Sequence, residues 1–216
     1  MEEIAEGMIN LNTSIESFNS SLEIDYNQEN THMLMGYAFK QLDQTNHAIN
    51  CFRNAININP DFFEAYMQLG HIFHLLEDTI ALIYYDNALK LKPADEMVLY
   101  NKALFYQTIE SWNNALDAYA ELHKVSPFHS SGHYNLGFIH MELKLYDIAV
   151  NNFSDAIYSN ADFYEAYYSR GNCFETLGNV KQAESDYKRA VEINPQYTYA
   201  IQALEDLIEK NRIYNK

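Results

Sequence analysis

The chain is poor in cysteine, proline, glycine, tryptophan and positive charge, and the shortages of cysteine and of positive charge each close off a class of function. Two cysteines, Cys51 and Cys173, are too few for a disulfide framework, and neither lies in the CxxC spacing of a metal site. Both are expected to behave as small buried hydrophobes. Fourteen basic residues stand against 30 acidic ones, a formal charge of −16. Nucleic acids are held by Lys and Arg neutralising phosphates, so this balance argues against them, and it repels anionic membrane surfaces. No apolar run approaches the ~20 residues that span a bilayer. The opening MEEIAEGMIN lacks the basic and apolar regions of a secretory signal. The expectation is a soluble, cytoplasmic protein with no direct membrane insertion, a removed signal or lipid anchor being the alternative. The acidic surface either speeds association with a basic partner or serves solubility alone.

What the chain does have is apolar surface: 48% of its 216 residues are hydrophobic, which argues against disorder and for a sizeable core. Its few prolines and glycines recur at a fixed interval. Pro60, Pro93, Pro127 and Pro195 are 33, 34 and 68 residues apart, and Gly36–Gly70 and Gly137–Gly171 are each 34 apart. Aligned on these anchors, five units run over 29–62, 63–95, 96–129, 130–163 and 164–197.

Each unit carries the same series. A small residue comes first (Gly36, Gly70, Ala103, Gly137, Gly171), then an alanine (Ala48, Ala81, Ala115, Ala149, Ala183). An aromatic follows four residues on (Phe52, Tyr85, Tyr119, Phe153, Tyr187), and three further on stands Ala55, Ala88, Leu122, Ala156 or Ala190. Small residues let two antiparallel helices approach closely, and the i, i+4, i+7 series lines one face of the second helix with the aromatic in the seam. Proline stops that second helix. Unit two is one residue short near Asp78–Ile80, which should tighten its turn. Unit four has Ala161 in place of proline, so its second helix is expected to run on into the next.

This pattern resembles the tetratricopeptide repeat, a 34-residue helix–turn–helix unit, over almost the whole chain. The resemblance implies an all-α fold: a right-handed superhelical solenoid of antiparallel helix pairs. Residues 1–28, with Ser14, Phe18 and Ser21 at second-helix positions, form a partial N-terminal unit. Residues 198–216 form a solvating cap helix with Ile201, Leu204 and Ile208 on its apolar face. Lys102 and Arg170 replace the family's leucine and are expected to send their charged heads to water.

In the family, the first helix of each unit builds a concave groove, with positions two, five, six, nine, twelve and thirteen facing it. By that rule the fifth position offers Met33, Met67, Tyr100, Tyr134 and Tyr168, and the ninth Tyr37, His71, Leu104, Phe138 and Asn172. The sixth offers Leu34, Gln68, Asn101, Asn135 and Ser169. The stripe of aromatics and methionine either forms an adaptable binding surface or packs between repeats. Asparagine at the sixth position can hold a peptide backbone, since its amide both donates and accepts. The candidate peptide-binding residues are therefore Met67, Gln68, His71, Tyr100, Asn101, Leu104, Tyr134, Asn135, Phe138, Tyr168 and Asn172. The lysine pattern that family members use to clamp acidic chaperone C-termini is absent. With Glu64, Glu142, Glu165 and Glu175 at groove positions, the expected ligand is a neutral or basic segment of another protein with hydrophobic anchors.

No Gly-rich phosphate loop, GxSxG elbow or Cys–His motif appears, so catalysis is not expected, and no cofactor is implied. His71 with His74, and His129 with His133, have spacings that could place two imidazoles on one helix face, but HExxH is absent and no metal site is expected. The function read from the sequence is a protein-interaction adaptor. The alternatives are a self-associating scaffold, with Phe62, Phe63, Phe128, Phe163 and Tyr164 as exposed aromatics, or a regulatory domain of a longer protein or envelope lipoprotein.

Overall fold

The computed structural model describes residues 2–214, and among them every regular element is an α-helix, twelve in all. A long helix α1 (Glu2–Ile24) precedes five pairs: α2 (Glu29–Gln41) with α3 (Thr45–Ile58), α4 (Phe63–Leu75) with α5 (Ile80–Leu91), α6 (Glu96–Thr108) with α7 (Trp112–Val125), α8 (Ser130–Glu142) with α9 (Tyr146–Ser159), and α10 (Tyr164–Thr176) with α11 (Val180–Ile193). Helix α12 (Thr198–Tyr214) follows. The chain falls into two compact units, Met1–Ile109 and Glu110–Lys216, so the boundary passes between the two helices of the third repeat.

Within the pairs that lie inside one unit the seam is built as its spacing demands. The rings of Phe52, Tyr85, Tyr119, Phe153 and Tyr187 are wholly buried. A Cβ added at Gly137 would stand 2.6 Å from the Phe153 ring, and one at Gly171 2.6 Å from the Tyr187 ring. Only a residue without a side chain lets those helices come that close. In the first compact unit Phe52 and Tyr85 share one core with Leu69, Ile72, Phe73 and Phe105. In the second, Phe153 and Tyr187 anchor separate clusters, the latter closed by Leu207 of α12.

The turn between the helices of each pair is also periodic. Asp43, Glu77, Glu110, Lys144 and Gly178, at the same place in the five repeats, all adopt positive φ of 53–78°. This left-handed residue ends the first helix, and only the last repeat supplies the glycine that adopts it without strain. The residue missing from unit two is lost just after Glu77. Helix α5 has 12 residues where the other second helices have 14, and the Asp78 carboxylate accepts the Ile80 N–H at 2.9 Å to start it.

Ala161 does not let the helices fuse. Helix α9 stops at Ser159, Asn160 is extended, and its side-chain oxygen accepts the Asp162 N–H at 3.1 Å. Asn59 and Asn194 make the same bond to Asp61 and Gln196, each at 3.1 Å, beside the prolines of their own repeats. An asparagine turned onto its own backbone competes with the helix ladder, so it ends the helix whether or not proline follows.

Arg170 does not send its head to water, whereas Lys102 meets an exposed carboxylate. Lys102 pairs with Asp86 of the preceding repeat at 2.6 Å. Arg170 forks onto Asp186 with two bonds of 2.7 Å and reaches back to the Ser154 hydroxyl at 3.0 Å. Among the described residues of α12, Ala200 and Leu207 are buried, while Ile208 is 48% exposed. The helix docks by the third and tenth repeat positions, as the preceding first helices do through Ala166 and Cys173. Of the five aromatics expected to be exposed, only Phe128 is. Lys92 lies over the ring of Phe63, Phe163 packs on Tyr134 and Tyr164 on Tyr197, and Phe62 joins the first core.

Candidate functional site

In the first compact unit the outward face of α2, α4 and α6 carries large apolar side chains that the fold leaves open. Leu34 is 52%, Leu75 68% and Met97 64% exposed, and Tyr37 is at the margin of exposure, with its ring edge-on to Phe52 at 5.6 Å. They stand at the sixth, thirteenth, second and ninth repeat positions. Met67, by contrast, is buried with Met33 in the core, so at the fifth position of these repeats stacking consumes the side chain. Gln68 accepts a bond from the Lys40 ammonium at 2.9 Å. His71 is exposed, yet the surrounding protein lowers its pKa, and Lys40 adds to the effect. Tyr100, Asn101 and Leu104 are half-buried along α6.

In the second unit more of the expected residues turn inward. Asn135 is buried and its amide donates to the Tyr119 hydroxyl at 2.8 Å. Asn172 accepts from the Tyr187 hydroxyl at 2.7 Å, and Glu175 accepts from it at 3.0 Å. Tyr134 packs against Phe153 and Phe163, and Phe138 is half-buried. Tyr168 meets Tyr187 and Tyr199 at tilted angles and Tyr197 edge-on. Burial and the neighbouring Tyr134 and Tyr168 push the Tyr197 phenol up to about 12.

One substitution in the seam explains where these amides go. Phe52 and Phe153 need no polar partner, but Tyr85, Tyr119 and Tyr187 carry a hydroxyl into a buried place, and a buried hydroxyl without a bond is costly. Tyr85 is met by His74 at 3.2 Å, Tyr119 by Asn135, and Tyr187 by Asn172 and Glu175. Polar residues on the first helices thus serve the second helices before they serve any ligand. The acidic positions are partly engaged as well, Glu64 with Lys92 at 3.8 Å and Glu175 with Lys210 at 2.8 Å.

Both cysteines are buried, and burial pushes their thiols up to about 11, far from the reactive range. His123 and His133 stack at 3.9 Å, and one ring nitrogen of each is buried without a hydrogen-bond partner. His129 is held by the Gly132 N–H at 2.9 Å. Among the described residues no three His, Cys, Asp or Glu side chains are grouped to hold a metal ion, and no helix is long and apolar enough to cross a membrane.

Within each unit, antiparallel helix pairs with buried small-residue seams and partly open first-helix faces define a helical-repeat protein. Family models for the tetratricopeptide repeat match residues 130–163 and 164–197, and a TPR repeat model matches residues 36–76. The chain belongs to the tetratricopeptide-repeat family. A human relative, protein O-mannosyl-transferase TMTC3, is 25% identical over 178 residues, covering 82% of this chain but 17% of its own length. The chain therefore corresponds to a small part of that protein. Among solved structures, YrrB, described as a TPR protein with an unusual peptide-binding site, superposes with a TM-score of 0.68 at 15% identity, covering 88% of this chain and 99% of that one. The first TPR of Spaghetti (RPAP3) bound to an HSP90 peptide superposes with a TM-score of 0.52 at 23% identity, covering 54% of this chain and 93% of that one. At such identities these likenesses speak for the fold.

Proposed function

We propose that the chain is an adaptor that holds a segment of another protein on the outward faces of its first helices, and that it has no catalytic role. The tetratricopeptide fold supports a protein–protein interaction scaffold. The observation that carries the finer reading is the set of open apolar side chains at groove positions, Leu34, Leu75 and Met97. They are spaced along successive repeats, where an extended or helical segment finds repeated anchors. Gln68, His71, Tyr100, Asn101 and Leu104 lie on α4 and α6 of the first unit, and Phe138 and Tyr168 offer part of their surface in the second. The acidic charge of the chain favours a neutral or basic segment.

A photo-crosslinking amino acid placed at position 97 or 104, and separately at 83 or 158 on second helices, tests this in the source cells. Partner adducts from the first pair of positions alone support the adaptor reading. Adducts only from the second pair overturn it. A second reading, self-association, is favoured by one observation: Phe128 and Tyr158 are 68% and 79% exposed with ring centroids 6.1 Å apart. Sedimentation velocity over a hundredfold concentration range decides it, since a monomer throughout removes self-association.

A further inference from the structure

Helix α12 is more than a lid. Because Ala200 and Leu207 dock it in the register of a first helix, Tyr199, Gln202, Ala203 and Asp206 fall at the second, fifth, sixth and ninth positions. On the earlier first helices the second and ninth of these positions hold exposed side chains such as Met97 and Tyr37, whereas Met67 at the fifth and Asn135 at the sixth are buried. With Tyr168 of α10 and Thr198, the four α12 residues line a pocket of about 360 Å3. Tyr168 and Tyr199 bring aromatic rings to it, and Tyr197 packs against both. Tyr168 meets Tyr197 edge-on at 5.4 Å, Tyr197 meets Tyr199 at 5.6 Å, and Tyr168 meets Tyr199 at 6.3 Å. Tyr199 is 66% exposed and offers its ring to an incoming group. The Asp206 carboxylate also lines the pocket, held through one oxygen by the Gln202 amide at 2.9 Å. The basic residue a turn further along, Lys210, is committed to Glu175.

We propose that this pocket receives the guanidinium of an arginine in the partner's segment, which rests on the adaptor reading above and names one anchor of that segment. A ring face attracts a cation and a carboxylate fixes it, and the planar guanidinium can do both at once, stacking on a phenol while forking onto the carboxylate. The chain answers its own cations in this way. The Lys92 ammonium lies 3.7 Å above the Phe63 ring and 3.8 Å from Glu64. Arg170 forks onto Asp186 beside the rings of Tyr167 and Phe174. In the α12 pocket the rings and the carboxylate are assembled and the cation comes from outside. An acidic side chain is repelled by Asp206, and a purely apolar one draws no attraction from it.

The test is an NMR titration of the intact chain, with tyrosine rings labelled, using N-acetyl-arginine amide and its neutral isostere N-acetyl-citrulline amide as probes. Saturable shifts confined to Tyr168, Tyr197 and Tyr199, with citrulline at least about fivefold weaker, are the expected result. Tyr199→Ala and Asp206→Asn should each weaken arginine about three- to tenfold. Both side chains are on the surface, and unchanged melting temperatures confirm that the variants are folded. Equal shifts from arginine and citrulline, no saturable shift, or shifts that survive both substitutions overturn the pocket. If adducts still form at positions 97 and 104 while arginine leaves the tyrosines unmoved, the pocket falls and the adaptor reading stands. Arginine binding here with adducts only from positions 83 and 158 overturns the partner's segment as its source.

Discussion

The side-chain amide of Asn135 donates to the hydroxyl of Tyr119 at 2.8 Å, joining the first helix of one repeat to the second helix of the repeat before it. Both residues are buried, so the amide answers a hydroxyl that water cannot reach.

Asn135→Ala should therefore act on stability. Removing the amide exposes the Tyr119 hydroxyl to the cost of a lost buried bond, about 1–2 kcal/mol. Adding Tyr119→Phe removes both polar groups, and the double variant should lose less than the two single losses together. Urea unfolding of the four proteins measures this. Additive losses would show that the bond contributes nothing specific.

Arg170 and Asp186 should behave as a coupled pair. Asp186 is 5% exposed, and Arg170→Ala leaves its carboxylate without a counter-charge at a cost of about 3 kcal/mol. Replacing both by leucine, the residue the family favours at position 170, should recover most of that loss, because an apolar pair needs no desolvated charge. Thermal unfolding checks the order of stabilities: the double-leucine variant above the alanine variant.

The left-handed turn residues mark places where the chain can be stabilised. Lys144 has φ 60°, whereas the equivalent Gly178 has φ 78° and no Cβ to strain. Lys144→Gly relieves a strain of about 1 kcal/mol and loses part of that to the greater freedom of glycine in the unfolded chain. A net gain of about 0.5 kcal/mol is expected, read as a higher urea midpoint at unchanged slope. A lower midpoint would mean that the Lys144 side chain makes a contact worth more than the strain.

Stability should fall as the medium is acidified below pH 6.5. Burial, then the neighbouring His133 and His129, lowers His123 from 6.5 to about 4. Burial lowers His32 and His74 as well. A histidine with a depressed folded pKa takes up its proton more readily when unfolded, so stability is complete above pH 6.5 and is lost as pH falls from there towards 4. His123→Phe keeps the stacked ring without the titrating nitrogen and should flatten the melting temperature across that window. An unchanged slope would assign the acid loss to other groups.

The sequence by itself determined the repeat, its period and the seam. Gly137 and Phe153, or Gly171 and Tyr187, are legible because size and spacing decide whether two helices can approach, and both are written along one chain. The turn positions and the buried cysteines follow from the same local chemistry. Only the tertiary structure decided which polar residues on the first helices stay open. Asn101 and Asn135 hold the same place in adjacent repeats and read alike, but a hydroxyl on a different helix, Tyr119, claims Asn135. Tyr187 claims Asn172 in the same way. Ala161 misled because the helix stop lay in the Asn160 side chain rather than in the missing proline. The α12 pocket was not legible, since only the docking of Ala200 and Leu207 brings Tyr199 and Asp206 together with Tyr168. Periodicity is a property of the chain, whereas the satisfaction of a buried polar group depends on which neighbour arrives from another helix.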